Sequence, residues 1–465
     1  CALPISAGRV DDGELGDERR VEERFDRCGE DAGGAFHDGE RTDVTGDRRN
    51  RKTRILATLR VGRRGSDAMR SIRRLAIGGA MLALVTLVAS GCGSDSGGGS
   101  SARPSTRPVK PRNATVAVPV VSGPVTGGRY GVPANPVPPT ELERFGYRED
   151  EYFVAGTARA AVAPGPLSGD GRWSVANGAT APYATRIIVR RPTDPKRFSG
   201  TVAVEWMNVT AGRDSDPEFG YLLPALMREG DAYVGVSAQK IGVEGGGGLK
   251  VPGVPPEALL ALKQWDPVRY RTLSHPGDDW SYDIFSQAAQ SLLAPGRVDP
   301  LGGLRPSTLI AAGQSQSAGT LATYINAIQP RTAMFDGFLV DGRGRFAGGL
   351  ADADGENAVP RVVRLRTDGG VPVLQFETET DLGFLGFTDA RQPDGPNLVT
   401  WEVAGTAHAD ASTLVYGEAS ARVWYHGPPV DLTSTCGTIN DGPHGAVLRA
   451  AYAALGRWIA SRTRS

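Results

Sequence analysis

Seven short runs of apolar, β-branched or aromatic residues punctuate the chain at 185–190, 201–206, 232–237, 307–312, 335–340, 371–376 and 398–403. Each is too short for an ordinary helix and is flanked by turn-forming residues, so each predicts a core strand. Between them, 219–229, 281–293 and 318–328 space their apolar residues at three and four, as does 447–459 near the end, which predicts helices with one buried face. Strands separated by helices predict a mainly parallel, doubly wound α/β sheet, because a parallel pair needs a crossover long enough to hold a helix. No Pro/Gly/Ser linker and no internal repeat breaks 185–460, so one domain is expected from about residue 115 to 465. The stretch 239–280, with glycines at 245–248 and a proline-rich run after them, departs from the alternation. It is expected to form a cap or excursion over the C-terminal edge of the sheet.

The first part of the chain reads differently. Residues 1–68 are dense in charge, lack methionine and show no sustained apolar period, so they cannot bury enough surface to offset chain entropy. They are expected to be translated upstream sequence or a disordered tail. From Met69, the cations Arg70, Arg73 and Arg74 precede an apolar run that ends in Ala89-Ser90-Gly91-Cys92. This pattern predicts a signal peptide over 69–91 closing on a lipobox, with lipid attached to the Cys92 thiol. The apolar run is shorter than the ~20 residues a spanning helix needs. Glycine, serine, proline and arginine then dominate to about residue 114, which predicts a flexible tether. The expectation is an exported lipoprotein, at the cell surface or in the periplasm, meeting the membrane through its anchor. Cys436 would be the one other cysteine of the processed chain and is expected as a buried free thiol.

Composition narrows the function. Among 465 residues, 52 Lys and Arg balance 52 Asp and Glu, which gives no electrostatic reason to bind nucleic acid. Four scattered cysteines cannot frame a disulfide scaffold.

The chemistry sits where predicted strands end. The run 307–312 passes through Gly313-Gln314-Ser315-Gln316-Ser317 directly into a helix, the strand, sharp turn, serine and helix of a nucleophile elbow. Ser317 stands where a second glycine is usual. A serine needs a base, and the base needs an orienting acid, with Ser, acid and His the expected chain order. His408 lies just beyond the last strand and is the candidate base; His444 is expected to cap the last helix or line the pocket, His275 to contact substrate in the pocket or serve a structural role, and His426 to be surface or packing. After strand 371–376 the carboxylates Glu377, Glu379 and Asp381 compete; the loop position favours Asp381, with Glu379 second. Two N–H donors are required for an oxyanion: Gln316 supplies one, and Asn208 or Val209, after strand 201–206, the other. Trp206, Trp280 and Tyr282 line the pocket or belong to the core.

Several blocks in order carry a resemblance: Val204-Glu205-Trp206-Met207-Asn208-Val209, Gly235-Val236-Ser237-Ala238-Gln239-Lys240, Gly313-Gln314-Ser315-Gln316-Ser317-Ala318, and Asn440-Asp441-Gly442-Pro443-His444. Over about 115–460 the sequence resembles secreted bacterial α/β-hydrolase domain proteins, a largely uncharacterised, serine-esterase-like family. The resemblance implies an α/β-hydrolase fold with Ser315 and His408 at the family's serine and histidine positions.

The reading is then a serine hydrolase of carboxylic esters acting on a small-molecule substrate through an acyl-enzyme, without metal or organic cofactor. Its rivals are an inactive binding lipoprotein on the same fold, and an acyltransferase or amidase using the same residues. The oligomeric state is left open.

Overall fold

Strand β6, Thr308–Gln314, buried along its whole length, runs through the middle of a nine-stranded sheet. The computed structural model describes residues 108–111, 113–249, 254–353, 358–425 and 437–462. The expectations for 1–68, for the signal peptide and Cys92, for most of the tether, and for His426 and Cys436 fall outside the described residues.

The other strands are β1 Val120–Ser122, β2 Tyr147–Val162, β3 Ala176–Pro192, β4 Thr201–Trp206, β5 Ala232–Val236, β7 Gly337–Asp341, β8 Val373–Thr378 and β9 Leu398–Val403. Their order is β1-β2-β3-β5-β4-β6-β7-β8-β9. From β5 to β9 every neighbouring pair is parallel, whereas β1, β2 and β3 join antiparallel at one side. The chain crosses from β4 outward to β5 and then returns past β4 to β6. The carboxyl ends of β4 and β6 therefore flank the switch point, where open α/β sheets form their crevice.

Helices α1 Pro217–Glu229, α2 Ser281–Leu293, α3 Gln316–Thr323, α4 Glu379–Gly383, α5 Ala411–Trp424 and α6 His444–Ser461 accompany the strands. Period-two alternation assigns each strand residue to a face. Val204, Trp206, Ala311 and Phe338 pack with α2 and α3 on one face, and Ala203, Ile310, Leu339 and Phe376 with α1 and α6 on the other. Helix α6 buries Leu448, Ala451, Tyr452, Leu455 and Trp458, a stripe at helical spacing. Each buried leucine there contributes about 2 kcal/mol.

Of the antiparallel hairpin, β3 contains the expected run 185–190, whereas β2 was not read as a strand because the charged residues Asp150 and Glu151 occupy buried positions in it. Arg190, fully buried, pairs with Glu149 at 2.8 Å and Asp216 at 2.5 Å; Arg186, also fully buried, pairs with Asp214 at 3.0 Å. The pairs to Asp214 and Asp216 tie β3 to the loop after β4, and the pair to Glu149 ties it to β2. Removing one partner leaves a buried charge exposed to low dielectric, at a cost of about 3–5 kcal/mol.

The excursion 239–280 contributes the single turns Lys240–Glu244 and Leu262–Trp265 and packs through a third apolar cluster, with Leu262, Trp265, Tyr270, Ala134 and Trp424. An isolated antiparallel bridge between Ser274 and Ala184 fastens it to the β3 side of the sheet.

Candidate active site

At the end of β6 the backbone turns sharply, and Ser315 takes φ +67°, ψ −121° at the N-cap of α3. A non-glycine residue in this region is strained and persists only when its surroundings fix it. Here the Ser315 N–H donates to the Asp341 carbonyl on β7 at 2.8 Å. A Cβ on Gly313 would lie 3.0 Å from Leu321 Cδ1 and 3.2 Å from Ser317 Cβ, so the first glycine is needed for space. Ser317 is accommodated because its hydroxyl donates to the Gln314 carbonyl at 3.1 Å.

The loop after β9 brings His408 to this turn. Its Nε2 lies 2.7 Å from Ser315 Oγ and its Nδ1 2.7 Å from Asp381 Oδ1. Asp381 stands in the first turn of α4, and its Oδ2 accepts from the Thr378 N–H at 2.7 Å and hydroxyl at 2.6 Å, in the manner of a capping residue. One carboxylate thus caps its own helix and orients the imidazole. Burial pushes the Asp381 carboxyl up, but His408 and the Thr378 donors outweigh it and hold the group below the usual carboxylate range. The His408 N–H donates to Thr380 Oγ1 at 2.9 Å, and its carbonyl accepts from Gln314 Nε2 at 3.0 Å.

Glu379, the second choice for the acid, points elsewhere: its Oε2 accepts the Gly405 N–H at 2.6 Å and pins the turn that leads to His408. Glu377 is fully buried on β8, where burial first, and then the charge of Asp381, drives its carboxyl well above the ordinary range.

The two oxyanion alternatives separate. The Asn208 N–H is committed to the Ser215 carbonyl at 2.8 Å, so that donor is corrected out of the set. Val209 N–H, and Gln316 N–H in the first turn of α3, find no protein acceptor among the described residues. Asn208 instead contributes its side chain, with Nδ2 on the Gln314 carbonyl at 3.0 Å and Oδ1 on the Thr210 N–H at 2.8 Å.

Two pocket assignments also change, those of Trp206 and His444. Trp206 is fully buried against Phe285 at 4.8 Å, with its indole N–H on Gln239, because its place on β4 points it into the packed face beneath α2. His444 is fully buried and lies between the rings of Tyr221 and Phe376. His275 is buried in the excursion, where its Nε2 lies 2.9 Å from the Ala238 carbonyl.

Sequence reasoning passed over Gln314, Thr378, Thr380, Asp341 and Gly342. The Thr378-x-x-Asp381 spacing was a legible capping signal; Asp341, at the end of a predicted strand, was another. Gly342 carried no signal, yet a Cβ there would sit 2.9 Å from His408 Nδ1.

A parallel sheet in this order, with a strained serine at the turn after its central strand and a histidine on a later loop, defines the α/β hydrolases. Residues 121–465 match the family described as alpha/beta hydrolase domain, and the chain belongs to it. No curated protein matches the chain. Among solved structures, two fungal esterases from Rhizomucor miehei are represented by a match at 11% identity, 66% of this chain, 85% of theirs and a TM-score of 0.34. An α/β serine hydrolase without a lid from Xanthomonas campestris matches at 12% identity, 59% of this chain, 97% of its own and a TM-score of 0.27. The esterase Est1E from Butyrivibrio proteoclasticus, bound to ferulic acid, matches at 10% identity, 52% and 94% coverage and a TM-score of 0.30. Family membership rests on the sequence match over 121–465.

Proposed function

We propose that the protein is a serine hydrolase that cleaves carboxylic esters of a small-molecule substrate through an acyl-enzyme. The observation that carries this reading is the unbroken chain Ser315 Oγ, His408 Nε2 and Nδ1, Asp381 Oδ1, with 2.7 Å at both contacts. Ser315 attacks the ester carbonyl while His408 takes its proton. His408 then returns the proton to the leaving alcohol, and in the second half-reaction activates the water that releases the acid. Asp381 holds the imidazole with Nδ1 protonated and stabilises the imidazolium as it forms. The amides of Gln316 and Val209 stabilise the tetrahedral oxyanion.

The lipobox reading of Ala89-Ser90-Gly91-Cys92 supports a lipid-anchored, extracytoplasmic placement. Palmitate labelling of the full chain in a bacterial host, lost in Cys92→Ser, tests it.

The activity is tested with the fragment from Gly93 onward on a panel of p-nitrophenyl esters, beside Ser315→Ala, with fluorophosphonate labelling in parallel. Turnover and labelling that vanish together in the variant support the reading. Labelling without turnover moves the substrate away from simple esters, and neither signal in a folded sample favours a binding protein.

A further inference from the structure

His444 opens α6 directly after Pro443 and is fully buried. Tyr221 of α1 stacks on one side of its imidazole at 4.1 Å and 21°, and Phe376 of β8 at 5.2 Å and 19°. With its ring held between two aromatics, only its edge is left for polar contact. Nδ1 lies 3.1 Å from the Ala407 carbonyl, and Nε2 lies 3.4 Å from Asp341 Oδ2, an ion-pair contact rather than a well-directed hydrogen bond.

Both contacts lead to the candidate catalytic pair. Ala407 is the residue before His408, and the Asp341 carbonyl accepts the Ser315 N–H at 2.8 Å. Gly342, next to Asp341, supports the His408 imidazole, with room for no side chain: a Cβ would fall 2.9 Å from Nδ1. A second path therefore joins the serine to the histidine from behind, running Ser315, Asp341, His444, Ala407, His408.

We propose that His444 and Asp341 form one positioning unit, a second histidine–carboxylate pair that sets the Ser315–His408 distance from beneath. The inference rests on the ester-hydrolase reading above.

The proton bookkeeping is consistent with a unit. A carbonyl can only accept, so Nδ1 must carry hydrogen to bond Ala407. A further proton shared between Nε2 and the Asp341 carboxyl would leave the pair neutral wherever it resides. Glu218 on α1 and Asp381 and His408 at the site face Asp341, and Asp410 at the start of α5 faces His444. Burial lowers the His444 imidazolium, and the charge of Asp341 more than restores it.

The test uses the full chain with His444→Phe, Asp341→Asn and the double variant, reading kcat and KM on the best ester and the rate of fluorophosphonate labelling. His444→Phe keeps the ring stack and removes both polar edges; Asp341→Asn keeps the volume. Each single variant is expected to lower kcat and the labelling rate about 10- to 100-fold with KM within about 3-fold, and the double variant to be no worse than the poorer single. Folded single variants with kcat within about 2-fold of the parent, losses confined to KM, or losses that multiply in the double variant would each overturn the proposal. Should His444→Phe not fold, Asp341→Asn decides alone through kcat. Turnover retained in Ser315→Ala would instead sink the ester-hydrolase reading, and so keeps the two failures apart.

Discussion

The side-chain amide of Asn208 donates to the carbonyl of Gln314 at 3.0 Å and so couples the loop after β4 to the residue before Ser315. The two strand ends that flank the switch point are thereby locked in register. Val209, the candidate second oxyanion donor, is the next residue along.

Breaking that bond should cost rate rather than binding. Asn208→Ala is expected to lower kcat about 10- to 100-fold on a p-nitrophenyl ester, with a smaller effect on KM, because the donor is needed most in the transition state. A change in KM alone would argue that the loop only lines the pocket.

The acid can be assigned by paired substitutions. Asp381→Asn is expected to reduce kcat by about 10⁴, since the wrong imidazole tautomer is then favoured. Glu379→Gln, which perturbs only the contact to Gly405, should stay within about 5-fold of the parent, as an exposed hydrogen bond is worth about 1 kcal/mol. Equal losses in the two variants would reopen the choice between them.

Gly342→Ala probes the space behind the base. Its φ of +60° is unfavourable for alanine, and the new methyl would meet both His408 Nδ1 and Asp381 Oδ2. Turnover is expected to drop by about 100-fold from displacement of the imidazole. A crystal structure with His408 unmoved and kcat preserved would contradict the account.

Stability should fall as pH rises above the carboxylate range. Burial, aided by Asp216 for Glu205 and by Asp341 for Glu218, raises both carboxyls well above their ordinary values, and burial pushes Asp231 up to about 6. Groups raised on folding bind more protons folded than unfolded, so their contribution is present below the unfolded pKa of about 4 and is lost as pH climbs through the folded values. Asp381 has the opposite sign: its contribution is present above about pH 4 and is lost as pH falls through its lowered value. Calorimetric Tm from pH 5 to 8 should therefore decline, and Glu218→Gln should flatten the decline. A Glu218→Gln effect independent of pH would show that this carboxyl does not titrate in that window.

Much of the parallel sheet was legible because its strands are apolar on both faces. The sequence runs 201–206 and 398–403 coincide with β4 and β9, and 281–293 with α2. Strand β2 was not legible, since Asp150 and Glu151 look like surface until their burial is known, whereas its partner β3 contains the run 185–190. Helix α5 was missed for a related reason: only Ser420 and Trp424 of it are buried, so no apolar stripe marks it.

Sequence by itself determined what depends on local order: the alternation of strands and helices, the tight turn at Ser315, and the chain order of serine, acid and histidine. Spacing alone left Asp381 and Glu379 as alternatives, and likewise Asn208 and Val209, because neighbours two residues apart or less share the same local signal. Only the tertiary structure separated them, by bringing His408 to one carboxylate and Ser215 to one amide. It also moved Trp206 and His444 from the pocket to the interior, since which way a side chain points is set by the face of the sheet or helix it packs beneath.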